Sequence, residues 1–581
     1  MITDICGVYL LRDTASEIIT PRFEIGVSGD ATTTIMRLIN VSSMLMEEFI
    51  GSNIPPYAIL SHTWEEGEVS YQEMKDESAK NKKGFSKIEK TCKLATADGL
   101  AYAWVDTCCI DKSSSAELAE AINSMFQWYE HSAICYVYLS DPKYSTDFLT
   151  AVEDCRWFTR GWTLQELIAP YELNFFDQNW KLRGNKQDFL NEISGITGIS
   201  PIVLSHAAPL SSIPVAMRMS WAAHRQTTKA EDIAYSLLGI FDVNMPLLYG
   251  EGSRAFTRLQ EEIIKSTCDL SIFAWTAAPS QNGQYTGRYS GILAKSPKEF
   301  SSCKRIIKTK ESRFLGDFSV TNRGIRMCTG LTAFPIRRSQ GWQYVLDLDC
   351  SSEDDEHSHL AVYLRKCGAD LFVREKPSSL ATVISGIHHY YRLRDIYILS
   401  KLPESLPHNQ LIRRDNDLII GSRISAVQIR VPRGFRTFNA SPTSHFDSQD
   451  HVFFSTKRTH SGWCVIQFNG KLTLHGRRTT VSCLFICFGW NSPSDEIEST
   501  IVDLSGCDQA LISQFSSGLE HEQHDIQPWV TEHLGYFRIP QQNSIVWGEV
   551  GGIVTMSHTV RKVFLPEICD DEMYQVDITL A

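Results

Sequence analysis

No pair of Cys-x-x-Cys motifs occurs among the 16 cysteines of this 581-residue chain, which argues against a structural zinc site. Cys108 and Cys109 are adjacent, and Cys483 and Cys487 sit four apart within the apolar run SCLFICFGW. With no secretory signature present, these read as reduced, mostly buried thiols in a cytoplasmic protein. No apolar run approaches the roughly 18–20 residues that a membrane-spanning helix needs. The early stretch CGVYLL is short and has no basic segment before it, so it does not read as a signal peptide. A Gly-x-Gly-x-x-Gly turn, a Walker A loop and a His-Glu-x-x-His helix are all missing. That disfavours a Rossmann dehydrogenase, a P-loop ATPase and a zincin protease. His521-Glu522-Gln523-His524 lies in a polar stretch and is weak as a metal motif. The net charge is -12, and with no long Lys/Arg stripe nucleic acid is not an expected partner. No repeat of fixed period is visible, so a solenoid or propeller is not indicated.

What is present is ordinary globular material, 43% apolar and 21% charged. Thirteen Trp and 28 Phe supply enough apolar surface to fold rather than remain disordered. The length exceeds what one core supports, and domains of roughly 100–200 residues are expected. Residues 1–35 do not join smoothly to the α/β pattern beyond them and read as an N-terminal extension, with Met36 as an alternative start. Residues 36–180 read as an α/β domain, 181–277 as a helical extension of it, and 278–581 as a β-rich region of one or two units.

The α/β reading rests on alternation. Strands are predicted over 57–64, 101–110, 133–139 and 173–176. Between the first two, a helix over 83–99 places Phe85, Ile88, Cys92 and Ala95 on one face, with Gly99 as its stop. A second helix over 114–131 opens with the capping pair Ser114 and Glu117 and carries the stripe Leu118, Ile122, Met125, Phe126 and Tyr129. A short helix over 163–169 ends at Pro170. Strands separated by helices imply crossover connections and a mostly parallel sheet, flavodoxin-like in kind. Ligands of such sheets bind beyond the carboxyl ends of the strands. Those ends carry Ser61, His62 and Trp64, then Asp106, Cys108, Cys109 and Asp111, then Asp141. Beyond 181 the pattern is helical, with Ala234, Leu237, Leu238 and Phe241 on one face. Beyond 280, short β-type runs at 344–350, 359–364, 395–399, 425–431, 462–468 and 482–488 predict an antiparallel sandwich or barrel.

Three segments resemble a known family. YAILSHTWEEGEVSYQEM (57–74), GLAYAWVDTCCIDKSSSAELAEAINSMFQWYEHSAICYVYLSD (99–141) and RWFTRGWTLQELIAP (156–170) are similar, in order and spacing, to the three blocks of the fungal heterokaryon-incompatibility (HET) domain. SWAAHRQTTKAEDIAYSLLGIFDVNMPLLYGEG (220–252) resembles the region after that domain in many members. The resemblance implies a part in fungal non-self recognition and programmed cell death, with self-association or incompatibility proteins as partners. It also implies a distant kinship with the Toll/interleukin-receptor (TIR) fold, some members of which hydrolyse NAD⁺. Their catalytic glutamate lies in a Trp-Cys-x-x-Glu-Leu segment, which Trp162 to Leu167 resembles with Thr163 in the Cys position. Glu166 is the matching glutamate, and NAD⁺ is implied as substrate rather than as a bound cofactor.

Each candidate has a plainer reading beside it. A carboxylate such as Glu166 stabilises positive charge developing on a ribose, but Thr163 and Glu166 also spell a Thr-x-x-Glu capping box. Trp64 suits an aromatic ring of the ligand and His62 a ribose or phosphate, or both simply pack under a loop. Asp106 orients a site group, and Asp111 caps the turn into the next helix. Cys108 or Cys109, with His62 as base, would make a cysteine-dependent hydrolase; as small apolar residues they merely finish a strand. Arg160 suits a pyrophosphate or an ion pair that positions the helix. The Tyr249-Gly250-Glu251-Gly252 turn reads as structural. A non-enzymatic module that recruits death partners would use the same α/β domain with Glu166 only as a cap.

Overall fold

The computed structural model describes residues 35–51, 53–76, 78–141, 155–277, 289–309, 316–335, 342–366, 371–384 and 394–402, and separate strand segments between 426 and 580. The N-terminal extension up to residue 34 and His521 to His524 lie outside the described residues.

The first sheet has seven strands: β1 (Ile35–Asn40), β2 (Met46–Ile50), β3 (Tyr57–His62), β4 (Tyr102–Trp104), β5 (Ile134–Tyr138), β6 (Leu173–Phe176) and β7 (Leu182–Asn185). Their spatial order is β2-β1-β4-β3-β5-β6-β7. The four central strands are parallel. The hairpin β1–β2 closes one edge and β7 the other, all antiparallel. The mostly parallel expectation is thus corrected to a mixed sheet with a parallel centre. The edge strands escape prediction because they are short and only partly buried, which leaves little hydrophobic alternation to read.

Every residue of β3 is buried, as expected of a strand covered on both faces. Helices α1 (Tyr71–Lys75) and α2 (Phe85–Ala97) lead from β3 to β4, and α3 (Ser115–Glu130) leads on to β5. Gly99, at φ +75°, lies just past α2 as anticipated. Ser114 caps α3 by accepting from the Glu117 amide at 3.3 Å. The Glu117 carboxylate accepts instead from the Asp111 amide, 2.7 Å away, so only half of the expected capping box forms. A complete box stands at α1, between Ser70 and Glu73. The strand predicted over 101–110 is only three residues long; the remainder turns back so that the Cys109 amide bonds the Val105 carbonyl, 2.9 Å away.

Helices α4 (Arg156–Thr159) and α5 (Thr163–Ile168) precede β6. From β3 the chain steps to β4 on one side, then crosses back to β5 on the other. The strand order therefore reverses between β3 and β5, where sheets of this kind place their ligands.

Residues 190–266 form short helices, as predicted. The helix expected to carry Ala234, Leu237, Leu238 and Phe241 on one face is broken at Ser236 and Leu237 into two single turns. The β-rich reading of the later chain also holds. Ten strands between Tyr289 and Ile398 make one sheet that curls into a half-barrel. The acidic stretch 351–357 spans the turn of its longest hairpin, which falls at Glu353 and Asp354 between Trp342–Ser352 and Asp355–Lys366. The strands are not all antiparallel as expected: Leu371–Glu375 pairs in parallel with Arg394–Ile398, and Ala426–Arg430 with Glu572–Leu580. One continuous core joins the first sheet, the helices and this half-barrel sheet. Among the described residues no helix is long and apolar enough to cross a membrane.

Candidate functional site

Ser61 is the fifth residue of β3 and its side chain is wholly buried, so its hydroxyl must find partners inside the protein. It donates to Glu166 Oε2 at 2.5 Å and accepts from Trp157 Nε1 at 2.8 Å. A strand end, α4 and α5 thus converge on one hydroxyl at the strand reversal. Glu166 is only 7% exposed. Burial pushes its carboxyl up to about 7; Asp106 adds to this, while the Ser61 hydroxyl and the guanidinium groups of Arg160 and Arg225 oppose it. Such a carboxyl changes charge near neutral pH, where a surface glutamate would be fully ionised.

The capping-box reading of Glu166 fails. The residue preceding α5 is Trp162, which makes no side-chain cap. The Thr163 hydroxyl faces back to the carbonyls of Trp157 and Arg160, and it accepts from Arg225 Nη1 at 2.9 Å. Arg225 Nη1 also reaches the Arg160 carbonyl at 2.8 Å. Thr163 therefore ties the α4–α5 turn together, and the carboxylate of Glu166 is free of the helix end and committed to Ser61. Burial brings the Arg225 guanidinium down to about 9, against the attraction of Glu166.

Next to this pair, His62 is buried between two carboxylates. Its Nε2 is 3.6 Å from Glu68 Oε2 and its Nδ1 is 3.9 Å from Asp106 Oδ1. Burial alone would raise the Glu68 carboxyl, but His62 and Lys87 outweigh it and hold it near 2. Lys87 is itself buried and meets Glu68 Oε1 at 2.5 Å. The other oxygen of Asp106 accepts from Trp64 Nε1 at 2.7 Å. Of the residues singled out in the sequence, Ser61, His62, Trp64, Asp106, Arg160 and Glu166 share this neighbourhood.

The others are engaged elsewhere. Asp111 accepts from the amide and hydroxyl of Ser113 at 2.9 and 2.6 Å and shapes the turn before α3. Trp162 hydrogen-bonds Asp232, as does Tyr249 at 2.9 Å. Cys108 and Cys109 are buried. A hydrogen bond to Cys109, burial and the negative charge of Asp106 push the Cys108 thiol well up, whereas a nucleophile needs a depressed one. With His62 facing two carboxylates, the cysteine-hydrolase reading has no base to serve it. The turn at Gly250 and Gly252 is structural as expected, both amides bonding Glu231 Oε1, 2.7 and 2.9 Å away. Among the described residues no group of three or more His, Cys, Asp or Glu side chains is placed to hold a metal ion.

Trp157, Glu68, Lys87 and Arg225 join the site without a sequence signal that assigns them to it. Trp157 and Glu68 lie within the segments that resemble the HET blocks, but nothing in their spacing names a partner. Lys87 and Arg225 reach the site only through the packing of α2 and of the 221–227 turn.

Fold and site together define an α/β domain with a buried acidic centre at the reversal of its strand order. Residues 57–150 match the family model "Heterokaryon incompatibility protein (HET)", and residues 254–362 match a domain of unknown function. The chain is 51% identical over 224 residues to the vegetative incompatibility protein HET-E-1 of Podospora anserina, covering 36% of this chain and 16% of that protein. The α/β region of the chain is thus similar to the HET domain of such incompatibility proteins. No solved structure matches it significantly.

Proposed function

We propose that this protein is an incompatibility determinant of the fungal cytoplasm, acting in non-self recognition and programmed cell death through TIR-like hydrolysis of NAD⁺. The observation that carries the reaction is Glu166: buried, tied to Ser61 and Trp157 rather than to the helix end, and set where the parallel strand order reverses. In the reaction the bond between the ribose C1′ and the nicotinamide nitrogen breaks, and the electron pair leaves with neutral nicotinamide. Positive charge develops on the ribose ring. The ionised Glu166 carboxylate stabilises that charge and accepts hydrogen bonds from ribose hydroxyls. Water then adds at C1′ and loses a proton, giving ADP-ribose. Ser61 and Trp157 fix the carboxylate, which is the preorganisation that such stabilisation needs.

The incompatibility role is supported by the HET match and by the name of the Podospora relative, of whose length the match covers 16%. The test uses the full chain, fused to an oligomerising tag because TIR-like sites need self-association. Nicotinamide released from NAD⁺ is measured for the wild type and for Glu166→Gln. Release that Glu166→Gln reduces at least a hundredfold is expected; no release from assembled, folded protein sinks the hydrolase. Cell killing in yeast that survives Glu166→Gln would instead favour a non-enzymatic module recruiting partners.

A further inference from the structure

Two cations crowd one exposed indole beside Glu166. Trp64 is 40% exposed, and its bond to Asp106 fixes the orientation of the ring. Lys112 Nζ lies 3.7 Å from the ring centroid, and Arg160 Cζ lies 5.3 Å from it. The two positive groups repel one another, while Asp106, Glu68 and the face of the ring attract Lys112. Among the described residues neither cation forms a salt bridge with a carboxylate. Asp106 and Glu68 attract Lys112 through space, but their hydrogen bonds go to the Trp64 indole and to Lys87.

A second observation points inward from the same ring. His62, itself 4% exposed, meets Glu68 Oε2 and Asp106 Oδ1 only at ion-pair range, 3.6 and 3.9 Å, so neither ring nitrogen nor Asp106 Oδ1 has a partner at hydrogen-bond distance. Buried polar atoms nearly always have partners. These groups therefore mark the region beneath Trp64 as one that receives polar ligand atoms. The charges then set a direction. Cations stand at the surface, whereas Asp106 and Glu166 stand inside. An anion is drawn to the two cations beside Trp64 and repelled by Asp106 and Glu166, near which neutral hydroxyls fit better.

We propose that Lys112, Arg160 and Trp64 form a subsite for the diphosphate of a dinucleotide, with the adjoining ribose directed inward past His62 and Asp106 toward Glu166. The guanidinium fork of Arg160 and the ammonium of Lys112 each take phosphate oxygens, and the ring they leave stacks an aromatic base. This deepens the hydrolase reading and rests on it for the position of the ribose.

The test is equilibrium binding to the full chain by calorimetry, with ADP-ribose, inorganic pyrophosphate and adenosine as probes, at low and high salt. Lys112→Gln and Arg160→Gln should each weaken ADP-ribose about tenfold and flatten its salt dependence, with adenosine unchanged. Unaltered melting temperatures check that both variants fold. ADP-ribose binding that neither variant changes, or no binding to folded wild type at millimolar ADP-ribose, overturns the subsite. Binding that depends on Lys112 without any nicotinamide release refutes the hydrolase and keeps the subsite. Nicotinamide release whose KM both variants leave unchanged does the reverse.

Discussion

Glu166 carries two predictions with different readouts. Its folded-state carboxyl titrates near 7, above the ordinary glutamate value of 4.5. The folded protein therefore holds a proton that the unfolded chain has released between those two values. Stability from this group is fully present below about 4.5 and is lost as pH rises through about 7. A shift of this size corresponds to at most about 3 kcal/mol. Glu166→Gln, which keeps the shape and bears no charge, should flatten that loss; urea unfolding at pH 5 and pH 8 measures it. Equal pH dependence in both proteins would mean that the carboxyl is not perturbed. Activity should run the opposite way. The ionised carboxylate is the working form, so nicotinamide release should rise with pH to a plateau, with a midpoint near 7. A profile with its midpoint near 4.5 would separate Glu166 from catalysis.

At the scale of elements, the longer pieces are legible in the sequence because their periodicity is long. Helix α3 shows its stripe over four turns and its Ser114 cap, and the hairpin from Trp342 to Lys366 shows two extended apolar runs around an acidic turn. The short elements are not legible. α4 is one turn long, too short for a period, and it delivers Trp157 to the site. The same limit governs Glu166: the letters Thr-x-x-Glu satisfy a capping pattern, and only the placement of Trp162 one residue earlier shows that no cap exists. Just after the break at Ser236 and Leu237 there is a close contact that sequence periodicity does not register. Gly239 lies against α3, and a Cβ there would meet Phe126 Cβ at 2.1 Å and Cγ at 2.5 Å. Gly239→Ala should therefore push the Leu238–Phe241 turn off α3 and destabilise by roughly 1–3 kcal/mol, despite alanine's better helix propensity. Thermal melting decides between the two effects: a melting point equal to or above wild type would show that the contact yields freely.

At the scale of the molecule, the α/β domain and the half-barrel sheet behave as one body because their boundary is hydrogen-bonded as well as apolar. Arg374, wholly buried in the sheet, donates to the carbonyls of Phe273 and Trp275, its Nη1 lying 2.9 Å from the first and its Nη2 2.5 Å from the second. Its guanidinium also lies 3.8 Å over the Trp275 ring. Burial pushes that guanidinium down to about 9, a cost the fold bears because two carbonyls would otherwise lack donors. Gln260 pairs in both directions with the backbone of Ala294, at 2.9 Å each way, and the Trp275 indole donates to the Ile292 carbonyl at 2.7 Å. Arg374→Ala leaves two buried carbonyls unpaired beside a cavity, a loss of about 3 kcal/mol. The stronger consequence concerns truncation. A chain ending at Ala277 would expose the faces of Phe256, Ile272, Phe273 and Trp275 that this core covers, and patches of that kind drive association. It should therefore unfold at lower urea than the full chain, with a broadened transition, or fail to stay monomeric in size-exclusion chromatography. A monomeric 1–277 fragment with the same urea midpoint as the full chain would show instead that the α/β domain is stable alone and that the sheet is merely appended.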